Sequence, residues 1–190
     1  MLNLRKYMNS LYLLTKNPGK LKAANSVFGK YGIELLPVKK EFPEIQAETS
    51  LEVAKYSALQ AAKELEAPVI REDHSLFIDA LGIPGPYMSY FEKNISAELL
   101  IKILDVLQDN KGRFVVATVY AKPDGTTFEY TFEVPITFGS EVKGNNPYGW
   151  DGLIRLQNES RAITEYPEEE RLHIWSQGYE AIAKHINSTV

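Results

Sequence analysis

The 190-residue sequence predicts an α/β fold built on a mixed sheet, and two observations carry that prediction. Strand-like and helix-like periodicities alternate in β-α-β-α-β order up to residue 72, which favours one α/β core over separate runs of helices and strands. From Arg113 the pattern changes to two long β-branched and aromatic runs around Pro-Asp-Gly-Thr, a hairpin that extends such a sheet antiparallel.

In chain order, SLYLLT (10–15) is the first strand, KNPGK a loop, and LKAANSVFGKYG (21–32) the first helix. Ile33 to Val38 forms a second strand, and the polar stretch EFPEIQAETS leads to the helix SLEVAKYSALQAAKELE. There Leu51, Ala54, Ala58, Ala61, Ala62 and Leu65 recur at helical spacing. Pro68 to Glu72 is the third strand, followed by an apolar segment and a Gly/Pro-rich turn. SAELLIKILDVL is a helix capped by Ser96. RFVVATVYAK and TFEYTFEVPITF make the hairpin, and GLIRL is a short strand. PEEERLHIWSQGYEAIAKHI reads as one last helix, with Pro167 near its first turn and three glutamates where the helix dipole favours them. No repeat or linker interrupts the chain, so residues 1–190 are expected to form one domain. Its lobes would be approximately 1–112 and 113–190, the last helix packing back.

A hydrophobic content of 44% with 24% charge suits a soluble globular protein, and no apolar run approaches the roughly 20 residues of a membrane span. The first ten residues, MLNLRKYMNS, lack the pattern of a secretory signal. The absence of cysteine excludes disulfides and thiolate chemistry and suits a reducing, cytoplasmic compartment. A net charge of −4 argues against a nucleic-acid coat, so any phosphate must be held by a local cluster.

Four segments could carry chemistry. In TKNPGK, Asn17 and Pro18 make a good helix start, yet Lys16 and Lys20 flank the end where the dipole repels cations; a bound anion such as phosphate would reverse that penalty. In REDHS, Glu72 and Asp73 read either as a solvated strand end or as a divalent-metal site at the carboxyl edge of the sheet. EFPEIQAE adds Glu41, Glu44 and Glu48, either a surface acidic loop or further oxygen ligands for Mg2+. KGNNPYGWDG presents Tyr148 and Trp150 around Asp151, as a turn packed into the core or as a flat slot with one carboxylate at its edge. His74, beside the acid pair, is a candidate phosphate donor. Together these point to a nucleoside phosphate with Mg2+.

With these segments in this order, the chain after residue 10 resembles the Ham1-like family of inosine/xanthosine triphosphate pyrophosphatases. The resemblance implies an elongated α/β structure of the ITPase/Maf-like kind, with a mixed sheet, two lobes around a nucleotide cleft, and a homodimer. It implies Mg2+-dependent hydrolysis of noncanonical purine nucleoside triphosphates between the α and β phosphates. Carried over by position, Thr15, Asn17 and Lys20 would hold the triphosphate. Glu44 and Asp73, with Glu72 as neighbour, would place the metal and the attacking water. Tyr148, Trp150 and Asp151 would enclose the base. This chain departs from the family at His74 and Ser75, where Thr or Ser followed by Gly is usual. It departs again at Trp175, Ser176 and Gln177, which replace Ser-His-Arg before Gly178, at Ser89, where many members have lysine, and at Gly152, where they have proline. His74, Ser75, Ser176 and Gln177 are therefore candidate substrate contacts, His74 standing in for the missing cation. A noncatalytic nucleotide-binding protein on the same fold, or a pyrophosphatase of altered base specificity, remains the alternative.

Overall fold

The computed structural model describes residues 10–38, 40–145 and 148–189. The reading of the first ten residues as carrying no secretory signal falls on residues 1–9, outside them.

Strand β1 (Ser10–Leu13) runs into helix α1 (Pro18–Phe28), and β2 (Glu34–Pro37) into α2 (Ser50–Leu65). Both helices start where their side chains supply backbone acceptors. Asn17 accepts from the Gly19 and Lys20 amides, and Thr49 with Glu52 forms a reciprocal capping box. β3 (Val69–Ile78), β4 (Ile83–Gly85), α3 (Met88–Asn94) and α4 (Ala97–Leu107) follow. The hairpin β5 (Lys111–Ala121) and β6 (Thr127–Phe138), then β7 (Ile154–Leu156), α5 (Glu168–Trp175) and α6 (Gln177–Thr189), complete the chain.

The strands form one mixed sheet in the order β2-β1-β3-β5-β6-β7, parallel at β2-β1-β3 and antiparallel beyond. The predicted α/β class and antiparallel extension are what the chain adopts. α2 covers one part of the sheet with Ala54, Ala58, Ala61 and Ala62, while α6 packs on α1, β5 and β6 through Tyr179 and Ile182. No helix among the described residues is long and apolar enough to cross a membrane.

Three elements differ from their prediction. The third strand does not stop at Glu72: all ten residues of β3 pair with β5, from Val69 opposite Ala121 to Ile78 opposite Gly112. The polar run Glu-Asp-His-Ser masks this, because it breaks the apolar alternation while the backbone continues in the ladder. The last helix is two helices that part at Ser176, whose hydroxyl donates to the His173 carbonyl while its own carbonyl accepts from Glu180 N–H. β4 and α3 lie in a segment whose glycines and prolines read as a turn.

The feature that makes a site is an interruption along β3. On the edge away from β5, β1 pairs only with Val69 and Ile70, and β4 only with Leu76 to Ile78. Between them, residues 71–75 have no strand partner on that edge among the described residues.

Candidate active site

Alternation along β3 decides the geometry around the window, because adjacent residues of a strand point to opposite faces. Glu72 and His74 share one face, Arg71 and Asp73 the other. On the first, the Glu72 side chain is 1% exposed, His74 Nε2 lies 2.7 Å from its Oε1, and Lys20 Nζ lies 3.7 Å from the same atom. Burial pushes the Glu72 carboxyl up, but His74, Lys20 and the Tyr179 hydroxyl outweigh it and hold the group below its usual range. Burial keeps His74 below its usual value, so the neutral ring donates Nε2–H to the ionised Glu72. Lys20 also donates to the Glu72 carbonyl at 3.1 Å.

On the second face, Arg71 donates to the Leu14 carbonyl at 3.1 Å and to Glu44 Oε1 at 2.5 Å, with Asp73 Oδ1 3.8 Å away. Burial raises the Asp73 carboxyl above its ordinary value against the pull of Lys20, Arg71 and His74, and Glu44 pushes the same way as burial. Asp73 and Glu44 thus sense each other across one guanidinium. Expected as a metal-side neighbour of Asp73, Glu72 is turned away from it and already paired, so the two acids do not act as one cluster.

Two cavities meet here. One, of about 620 Å3, is lined by Thr15, Lys16, Lys40, Glu41 and Arg71 among others, and is rich in cations. Lys16 pairs with Glu41 and Lys40 with Glu64, both at the surface. The other, of about 530 Å3, is lined by Glu92, Phe114, Tyr148, Asp151, Arg171 and Trp175 among others. Asn17, Lys20, Glu44, Asp73 and Ser89 line both.

The expected base loop divides. Tyr148 lines the second cavity and is 70% exposed, and Asp151 lines it with a carboxyl raised by burial against the pull of Arg171. Trp150 instead is fully buried in the core, its Nε1–H donating to the Ile95 carbonyl at 2.9 Å, so it does not wall the slot. Gly149 lies between the two in the left-handed region at φ 53°, which turns one ring out and the next in. Asn146 and Pro147 of this loop lie outside the described residues.

An aromatic wall comes from elsewhere. Trp175 packs against His74, with ring centroids 5.3 Å apart and planes inclined by 33°, and Phe114 meets it edge-on at 5.2 Å. His74 is thereby a packing and hydrogen-bonding partner of Trp175 and Glu72, not a free cation. Ser176 is buried at the helix junction and Gln177 is exposed, and neither lines either of these two cavities; nor does Ser75, buried within the sheet. Arg171, four residues before Trp175 and so on the same helix face, brings a guanidinium to the second cavity that the sequence reading missed.

The sequence profile of the Ham1 family matches residues 11–187. A dITP/XTP pyrophosphatase of Ignicoccus hospitalis is 34% identical over 181 residues, 93% of this chain and 96% of the relative. One of Methanopyrus kandleri is 34% identical over 161 residues, covering 84% and 86%. Among solved structures, a HAM1 protein from Coxiella burnetii superposes with a TM-score of 0.80 over 94% of this chain and 98% of that one, at 21% identity.

Proposed function

Because the chain belongs to the Ham1 family, we infer that it hydrolyses noncanonical purine nucleoside triphosphates (ITP, dITP, XTP) to the monophosphate and pyrophosphate, clearing them from the nucleotide pool. One observation carries this reading. A cation-rich cavity and an aromatic cavity edged with carboxylates share a wall made of Asn17, Lys20, Glu44, Asp73 and Ser89. A triphosphate and a base have those two chemistries, and the bond to be broken lies where they join.

The Thr15 hydroxyl and the Asn17 side-chain amide would donate to phosphate oxygens at the start of α1, where the helix dipole favours an anion although Asn17 already caps the Gly19 and Lys20 amides. Lys20, Lys16, Lys40 and Arg71 supply the compensating charge, and Lys20 would steady the leaving pyrophosphate. Tyr148 and Trp175 offer ring faces to the base, and Asp151 its edge.

Glu44 and Asp73 offer hard carboxylate oxygens close together, and no group of three or more metal-ligating side chains exists among the described residues. That donor set fits Mg2+, which prefers one or two carboxylates completed by phosphate oxygens and water. Bound there, Mg2+ would neutralise phosphate charge and orient the attacking water. Asp73, its carboxyl raised by burial, would serve either as a ligand of that metal or, left off the metal, as the base that takes the proton of the water. Arg71 holds Glu44 and Asp73 in mutual reach and would yield part of its contact to the metal. We read residues 1–190 as one domain acting in the cytoplasm as a homodimer, with neither nucleic acid nor membrane as partner.

The test is pyrophosphate release from ITP, dITP and XTP beside the standard triphosphates. Release is expected from the noncanonical set, with Asp73→Asn lowering turnover by about 10²–10⁴ while the fold persists. Folded protein that releases none overturns the reading. The noncatalytic alternative draws on Ser176 and Gln177, which bring no cation to the cleft; it predicts thermal stabilisation by ITP without turnover.

A further inference from the structure

Glu92 belongs to none of the segments that suggested a nucleotide cleft. It stands half-buried on α3 and lines the second cavity beside Tyr148, Asp151 and Arg171. Its Oε1 accepts the Trp150 amide at 3.1 Å, and a Cβ built on Gly149 would lie 2.4 Å from that oxygen and 3.0 Å from Oε2. The loop backbone therefore lies flat against the carboxyl and fixes its position. No hydrogen bond to a described residue occupies Oε2.

We propose that Glu92 reads the edge of the bound base as a hydrogen-bond donor beside the acceptor Asp151, so that the slot takes a 6-oxopurine edge, a carbonyl next to an N–H, ahead of an adenine edge. This rests on the nucleotide-cleft reading above and deepens it. An adenine edge carries the opposite pair, an amino donor next to a ring-nitrogen acceptor. Anchoring of the phosphates at Asn17 and Lys20 sets which way the ring enters, so the two arrangements are not interchangeable.

The division of roles has a physical basis. Two carboxyl groups share the slot, and like charges in a partly dry site favour one shared proton. Burial pushes Glu92 up to about 7, the Trp150 amide opposing it and Asp151 adding to it. Asp151, also raised by burial, has Arg171 pulling the other way and remains the carboxylate. The other charged groups of this cavity, Lys20, Glu44, Glu72 and Asp73, line it together with neutral His74, and Tyr148 completes the titratable set. With Oε1 committed to the backbone, the Glu92 proton sits on Oε2, free to meet a carbonyl.

The experiment measures binding of IMP and AMP, which needs no turnover, to wild type, Glu92→Gln and Glu92→Leu at pH 6 and pH 8.5. At pH 6 the wild type is expected to prefer IMP by about tenfold, the worth of one hydrogen bond made against one left unmade. The preference should shrink at pH 8.5 as Glu92 ionises. Glu92→Gln, with an amide donor in the same place, should keep it at both values, and Glu92→Leu should lose it at both. An unchanged IMP-to-AMP ratio in Glu92→Leu, or a ratio that follows pH equally in wild type and Glu92→Gln, overturns the proposal. Melting curves report folding, and if the leucine variant does not fold, the pH comparison with glutamine decides. Pyrophosphate release from ITP by the same proteins separates the two readings. Hydrolysis with an unaltered ratio, or with binding of neither nucleotide, sinks only the role of Glu92, an IMP preference without hydrolysis sinks only the pyrophosphatase, and neither binding nor hydrolysis sinks both.

Discussion

Replacing Gly178 by alanine tests how tightly the last helix is seated beneath the cleft. Gly178 is the second residue of α6, and a Cβ there would lie 2.0 Å from Thr118 Oγ1, 2.7 Å from Thr118 Cβ and 3.5 Å from its Cγ2. Rotating Thr118 can move the oxygen but not its Cβ, so α6 must shift away from β5. Alanine's helix preference returns at most about 1 kcal/mol, less in a first turn, whereas overpacking of this kind costs about 1–3 kcal/mol. The net loss is expected to be about 1–2 kcal/mol, a fall in Tm of about 2–8 °C for a chain of this size. The shift would also carry Tyr179 from Glu72 and Trp175 from His74, so KM for ITP should rise with it. Calorimetry and steady-state kinetics on Gly178→Ala, Thr118→Ala and the double variant measure both effects. Thr118 Oγ1 is buried without a hydrogen-bond partner among the described residues, so its removal alone costs little, and the double variant should recover part of the loss. An alanine variant as stable as the wild type, or losses that simply add, would refute this packing argument.

Other substitutions probe other parts of the cleft. Lys20→Met should raise KM for ITP and also destabilise the protein by about 1–3 kcal/mol, because buried Glu72 loses a cation and its carbonyl a donor; an unchanged melting curve would count against that pairing. Trp150→Phe leaves the Ile95 carbonyl without its donor and should lower stability by about 1–3 kcal/mol with little change in base preference, while Tyr148→Ala should do the reverse. The folded pKa of Glu92, about 7, lies above its ordinary 4.5, so its contribution to stability is complete below pH 4.5 and is lost as pH rises through about 7. Relative to Glu92→Gln, the wild type should therefore weaken across that window and level off above it, by about 1–2 kcal/mol after allowing for solvent screening of a half-buried group. Urea midpoints at pH 5 and pH 8 check the sign.

Much of this was readable in the residues. Alternating periodicities and the Asp-Gly hairpin specify the mixed sheet, and the Asn17 cap behaves as its neighbours require. The acid pair was harder, since a polar run in mid-strand looks like a strand's end; once β3 is known to continue, strand alternation alone separates Glu72 from Asp73. Tyr148 and Trp150 could not be told apart locally, because their directions depend on the backbone turn at Gly149 and on the pocket near Ile95. Glu92 and Arg171 left no motif at all: one lies on a seven-residue helix hidden among glycines and prolines, the other inside a run of charges resembling an ordinary solvated face.

An unpaired stretch of strand is usually a hazard, since its N–H and C=O groups can recruit a strand from another chain. In this molecule the open stretch of β3 is only residues 71–75, bracketed along the same line by β1 and β4. A foreign strand would find at most residues 71–75 to pair with before meeting those brackets, whereas a lysine ammonium fits readily, and Lys20 already caps the Glu72 carbonyl there. The fold thus keeps this stretch of main chain within reach of small ligands while limiting strand addition along it, and a substitution that frays β1 or β4 would lengthen the open edge.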